Sequence, residues 1–173
     1  IPRSRVNDIV LIASGAVLTA LAAQIQIPMF PVPMTLQTFA VLLVAATLGA
    51  GRASISMATY LAMGAAGLPV FASAKTLSGV LPTAGYLVGF VAAAAVIGAL
   101  ANRGWTKNPL KLAFSFALGS VVIYALGVIG LMIALGLTLD QALAGGVYPF
   151  LIGDLVKAIA AAALVPLAWK LLK

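Results

Sequence analysis

Histidine, cysteine and glutamate are absent from this 173-residue chain, and its only carboxylate side chains are three aspartates. Without His or Cys, the usual ligand sets for zinc, haem and iron–sulfur clusters cannot form. Disulfides, thiol nucleophiles and redox pairs are excluded as well. Three carboxylates and no imidazole leave little material for acid–base catalysis. No G-x-x-x-x-G-K-[ST] run occurs, so the chain has no phosphate loop with which to use ATP itself. Charge is scarce too, at 8% of residues, where an average soluble domain carries about 25%. No enzyme is expected, and no cofactor or metal.

Apolar residues are what the chain has in quantity. They make up 64% of it, and the mean hydropathy is +1.19. So few polar side chains cannot cover a soluble globule, so the natural solvent is lipid. The length suits one membrane domain, residues 1–173, built of several helices of about 20 residues each. The formal net charge of +7 is not interleaved with aromatics, so nucleic acid is not expected as a partner. A membrane protein with basic cytoplasmic loops explains it more simply.

Proline, glycine and charge punctuate the apolar runs. A first helix is expected at about 6–26, ended by Pro28, Pro31 and Pro33. A second runs from Thr35, read as its N-cap, to Leu48. Gly49-Ala50-Gly51-Arg52 reads as a turn, and a third helix follows at 53–67. Residues 68–82 form a long loop, and a fourth helix runs from after Pro82 to Asn102. Asn108-Pro109 has the form of an N-cap followed by proline at the first helical position. It opens a fifth helix to about 136. Residues 137–148 form another loop, and Pro149 opens a sixth helix to about Leu172, bent at Pro166. With six spans, Arg3, Arg5, Arg52, Arg103, Lys107, Lys111, Lys170 and Lys173 share one side with Trp105 and Trp169. Lys75 alone marks the other. The positive-inside rule then places both termini in the cytoplasm.

Asp154 and Lys157 stand out because they sit in an otherwise apolar helix. Three residues apart, they share one face, one to two turns below the outer surface. A charge at mid-bilayer costs about 2.5–3.5 kcal/mol. Either the two form an ion pair with Lys157 reaching outward, or they build a polar patch in an outward-facing pocket. In such a pocket Lys157 meets a ligand anion, and Asp154 accepts ligand N–H groups or orients Lys157. Gln24, Gln26, Gln37 and Thr38 lie near the same side and either face that pocket or bond between helices. Ala16-x-x-x-Ala20 and Gly85-x-x-x-Gly89 are small-residue patterns that permit close helix approach.

Four segments, in order, resemble one family. Gln26-Ile-Pro-Met-Phe-Pro-Val-Pro-Met-Thr-Leu-Gln37 resembles the "P-x-x-P-V-P-x-T-x-Q" segment of BioY proteins. Gly67-Leu-Pro-Val-Phe-Ala72 is similar to their "G-L-P-V-F-A". Pro82-Thr-Ala-Gly-Tyr-Leu-Val-Gly-Phe90 resembles "G-P-T-x-G-Y-L-x-G-F", although Leu81 and Ala84 stand where glycines are usual. Gly153-Asp-Leu-Val-Lys157 is similar to "G-D-x-x-K" in the last helix. BioY proteins are the biotin-binding S components of energy-coupling factor (ECF) transporters.

The resemblance implies an all-helical membrane protein of six spans in a bacterial or archaeal plasma membrane, with biotin as transported ligand. It also implies a transmembrane T component and two cytoplasmic ATPases as partners, with Ala16 and Ala20 contacting the T component. Lys157 is expected at the biotin carboxylate and Asp154 at the ureido N–H groups. Thr83 offers a hydroxyl, Phe71 and Tyr86 cover the apolar body, and Gln37 adds a polar contact. The rival readings are an S component for another small vitamin, an ion-coupled carrier acting alone or as an oligomer with Asp154 as coupling carboxylate, and a subunit without ligand.

Overall fold

A computed structural model describes residues 4–171, with side chains as far as residue 166. Arg3 and Lys173 lie outside the described residues, as do the side chains of Trp169 and Lys170. The elements are α1 (Arg5–Gln24), β1 (Gln26–Ile27), β2 (Met34–Thr35), α2 (Gln37–Ala65), α3 (Ala84–Asn102), α4 (Pro109–Leu135), α5 (Leu139–Gly146) and α6 (Leu151–Leu171). Among the described residues, five helical stretches are long and apolar enough to cross a membrane, the last of them running from Leu139 to Pro166. Many large apolar side chains point outward from these helices, among them Ile9, Leu21, Val121, Ile133, Ile152 and Ile159. A surface of this kind is complementary to hydrocarbon and not to water.

The helix α2 is two helices in one. Gly49, with φ 77° and ψ 175°, breaks it into segments 37–48 and 50–65. That φ is left-handed and open to glycine with little penalty. The chain reverses there, because Gln37 Nε2 donates to Tyr60 Oη at 2.6 Å across 23 residues. The turn expected over residues 49–52 is thus a single residue, and Ala50–Arg52 are already helical. Helix α1 runs alongside 50–65 in the same direction. Asp8 pairs with Arg52 at 2.5 Å, and Thr19 Oγ1 meets Met57 Sδ at 3.8 Å.

Glycine lets the next helices approach closely. Gly98 of α3 faces the backbone of Gly49 and Ala50, and Gly85 faces the backbone of Leu126 and Gly130 on α4. A Cβ at either position would strike main chain. Gly85-x-x-x-Gly89 therefore serves α3–α4 packing within the chain, with Gly89 against Ile123. Asn108 caps α4 as expected: its Oδ1 accepts from the amides of Leu110 at 2.9 Å and Lys111 at 3.1 Å. Asn108→Ala should lower stability by about 1 kcal/mol, read as a lower midpoint of unfolding in detergent with ligand binding unchanged.

These directions put Gly49, Arg52, Asn102 and Asn108 at one end of the bundle. The hairpin 26–35, the loop 68–82 and residues 137–150 gather at the other. Gln24 ties two of these together. Its Nε2 donates to the Phe71 carbonyl at 3.1 Å, and its Oε1 accepts from Ala74 N at 3.2 Å. Gln26 Nε2 donates to Ser73 Oγ at 2.8 Å. Both glutamines thus brace a loop.

The small residues of α1 lie toward the core. Ala16 is 1% exposed and packs inside the chain. Ala20 is half-buried against the same core. The outward face of α1 instead carries Val6, Val10, Val17, Leu21 and Ile25.

Candidate ligand-binding site

A small cavity of about 40 Å³ lies at the loop-bearing end, between the hairpin 26–35 and helices α2, α3, α4 and α6. Val32, Pro33, Thr35, Gln37, Thr38, Thr83, Tyr86, Leu87, Phe90, Ile123, Tyr124, Phe150, Asp154 and Lys157 line it. Five of the six ligand residues expected from sequence are among them. The sixth, Phe71, is not. Its ring is 1% exposed and packs edge-on to Tyr60 with centroids 5.3 Å apart, against Gly64. It stabilises the base of loop 68–82 outside the cavity.

The polar heart of the cavity is one connected cluster. Asp154 Oδ1 accepts from Lys157 Nζ at 2.8 Å and from Thr38 Oγ1 at 3.0 Å. Asp154 Oδ2 accepts from Tyr124 Oη at 2.6 Å. Lys157 Nζ also donates to the Thr35 carbonyl at 2.6 Å and to Thr38 Oγ1 at 3.2 Å. Both charges are nearly sequestered, with side chains 10% and 13% exposed. A buried ion pair is tolerable when its remaining donors and acceptors are satisfied, and here α2, α4 and the hairpin satisfy them. Lys157 therefore does not reach outward. It anchors the hairpin to α6.

Beside the cluster, Gln37 is held at both ends of its amide, with one N–H and one lone pair left over. Its Nε2 donates to Tyr60 Oη, and its Oε1 accepts from Thr35 Oγ1 at 2.8 Å. Tyr60 Oη passes the chain on to the Val70 carbonyl at 3.1 Å. Thr35 accepts from Gln37 N through its hydroxyl at 3.2 Å, but the N-cap position belongs to Leu36. Tyr86 Oη donates to the Gly146 carbonyl at 2.6 Å, so its ring is a fixed wall. Thr83 sits at the N-cap of α3 with no side-chain capping bond, which leaves its hydroxyl to the cavity.

Two consequences follow. Asp154 and Lys157 touch, so they cannot hold opposite ends of an elongated ligand. The expectation from sequence set Lys157 at a carboxylate and Asp154 at a ureido ring, whereas the two side chains here share one cluster. Lys157 and Asp154 form one net-neutral pair and not an isolated positive site. It instead offers acceptors and donors side by side, which suits a neutral polar group. Second, about 40 Å³ holds a few waters at about 10–15 Å³ each, so a larger ligand enters only if the lining moves. The hairpin, which contributes Val32, Pro33 and Thr35, is the part not set in a helix.

Tyr124 gave no signal in the sequence, being one aromatic in a long apolar helix. Nor did the Thr35 carbonyl, since any residue supplies a carbonyl. Thr38 carried a weak signal, a hydroxyl near the right end of the bundle.

Comparison with known proteins places these features in context. The BioY family model matches residues 2–173. A biotin transporter BioY from Thermotoga maritima is 43% identical over 152 residues, covering 84% of this chain and 85% of that protein. A biotin transporter BioY from Rhizobium etli is 36% identical, covering 91% and 90%. A probable biotin transporter BioY from Pyrococcus horikoshii is 35% identical, covering 91% and 93%. Among solved structures, the S-component for biotin from an ECF-type ABC transporter superposes with a TM-score of 0.85. It is 23% identical, with 98% of this chain and 95% of that chain covered.

Proposed function

Because the chain belongs to the BioY family, we propose that it is the membrane-embedded biotin-binding subunit, or S component, of an ATP-driven ECF-type uptake transporter. The observation that carries the ligand assignment is the neutral Asp154–Lys157–Thr38–Tyr124 cluster inside a roofed cavity. The ureido group of biotin is neutral, with N–H donors beside a carbonyl acceptor. Asp154 Oδ2, which has one protein partner, accepts a ureido N–H, and Lys157 or Thr83 donates to the ureido oxygen. Tyr86, Leu87, Phe90 and Ile123 cover the apolar bicycle. The valeryl chain then runs toward the loops, and its carboxylate remains near solvent and Lys75.

Entry requires the hairpin 26–35 to lift, and the Lys157–Thr35 bond is what holds it down. Binding therefore exchanges a protein hydrogen bond for ligand hydrogen bonds. In this reading the chain makes six transmembrane passes with both termini cytoplasmic. Segments 37–48 and 50–65 count as separate passes, and Trp105 sits at the inner interface. The location is the plasma membrane. No catalysis is assigned to the chain. Transport energy comes from two ATPases joined through a T component.

The test is equilibrium binding of radiolabelled biotin to purified chain in detergent. Saturable binding that other vitamins do not compete for is expected; a well-folded sample that binds none would reject the assignment. Lys157→Ala distinguishes the ends of the ligand. Biotin and biotin methyl ester should lose affinity equally, because Lys157 faces the ureido end. A loss confined to biotin would return Lys157 to the carboxylate.

A further inference from the structure

A second space lies on the lipid side of the cluster. It is a lateral groove of about 420 Å³ between α4 and α6, lined by Ala113, Ala117, Ser120 and Val121 on one wall and Leu155, Ala158, Ile159 and Ala162 on the other. Small residues at both walls keep it open. The groove and the ligand cavity share two residues among those described, Tyr124 and Asp154. These two are bonded to each other at 2.6 Å. The seam between α4 and α6 at this level is thus a single side-chain pair, with the Tyr124 ring as its bulk.

We propose that Tyr124 is the specificity-determining partition of the site: its ring limits the ligand at the Asp154 end, and its hydroxyl aims the Asp154 carboxylate into the cavity. This deepens the reading above and rests on it for the identity of the ligand. Deleting the ring joins a cavity of about 40 Å³ to a groove of about 420 Å³. Substituents that project past Asp154 then find apolar room where they previously met a wall. A packed wall resists extra atoms, so removing it should improve the binding of such analogues by about tenfold to a hundredfold.

The experiment compares biotin with its two N-benzyl ureido regioisomers, on the wild type, Tyr124→Phe, Tyr124→Leu and Tyr124→Ala. The wild type and Tyr124→Phe should both prefer biotin to the two benzyl analogues, because the ring is intact, while Tyr124→Phe should bind biotin more weakly than the wild type, because Asp154 loses the hydroxyl that aims it. In Tyr124→Leu and Tyr124→Ala, the preference for biotin over at least one benzyl analogue should fall by about tenfold or more. An unchanged preference in ring-deleted variants that still bind biotin would overturn the partition.

A ligand-free measurement separates this from the biotin assignment. The chain has no native cysteine, so Leu87→Cys, in the cavity lining, is a lone thiol. In phosphatidylcholine nanodiscs it should react with N-hexadecylmaleimide about tenfold faster when combined with Tyr124→Ala. Equal rates would overturn the partition. A rate increase in a chain that binds no biotin would leave the partition standing and reject the ligand.

Discussion

Asp154→Asn is expected to weaken biotin binding by about tenfold to a hundredfold, the worth of one charge-assisted hydrogen bond at about 1.5–3 kcal/mol. The carboxylate organises the whole cluster. It accepts from Lys157 and Thr38 through one oxygen and from Tyr124 through the other. An amide keeps one acceptor and turns the other position into a donor. That donor then points at either the Lys157 ammonium or the Tyr124 hydroxyl.

The ammonium, 13% exposed, is also left without its counter-charge. Breaking a buried pair from one side costs about 3–5 kcal/mol, so stability should fall along with affinity. Adding Lys157→Met to Asp154→Asn removes the orphaned charge. Stability should recover in the double variant while binding does not. Recovery of binding would show that the pair supports the fold without touching the ligand. Titration with labelled biotin and thermal unfolding in detergent, on the wild type, Asp154→Asn and the double variant, read both effects.

Gly49→Val should be the most damaging single change to the fold. Gly49 has φ 77°, which a β-branched residue adopts only at a cost of about 1–3 kcal/mol or more. A Cβ there would also strike the Asn102 side chain. Relieving the strain means straightening α2, but Gln37 and Tyr60 must meet for the hairpin to close. We expect misfolded protein, read as loss of monodisperse material on size exclusion. Gly51→Val, at a helical position with open space around its Cα, should be tolerated and serves as control. Normal yield of Gly49→Val would show that the reversal does not need glycine.

Much of this was legible because membrane sequences punctuate themselves. Pro28, Pro69, Pro82 and Pro149 mark chain exits, and Asn108-Pro109 fixed the start of α4 to the residue. Gly49 was visible as part of a Gly-Ala-Gly-Arg run, though the single-residue reversal was not. Asp154 and Lys157 stood out because charge inside an apolar run demands a reason. What escaped was whatever depends on which way a helix face turns. Ala16 and Phe71 look equally suited to outside and inside, since lipid and core are both apolar and hydropathy cannot tell them apart. Tyr124 escaped for the same reason, and the Lys157–Thr35 bond because its acceptor is main chain. A close approach between glycines on α3 and α4 was foreseeable as a tendency but not as a particular pair.

Segment 37–48 spans about 18 Å at 1.5 Å per residue, well short of a hydrocarbon core of about 30 Å. Were it lipid-facing, the bilayer would have to thin around it. Yet Gln37, Ala40, Val41, Leu42, Val44, Ala45 and Ala46 are all buried, so its neighbours stand between it and the acyl chains. Large apolar side chains of α1, α4 and α6 are exposed to the surroundings, whereas the segment that carries Gln37 and Thr38 is mostly shielded. Changes in membrane thickness, as between thin and thick phosphatidylcholines, should therefore strain the outer helices while the α2 floor of the ligand cavity keeps its shape.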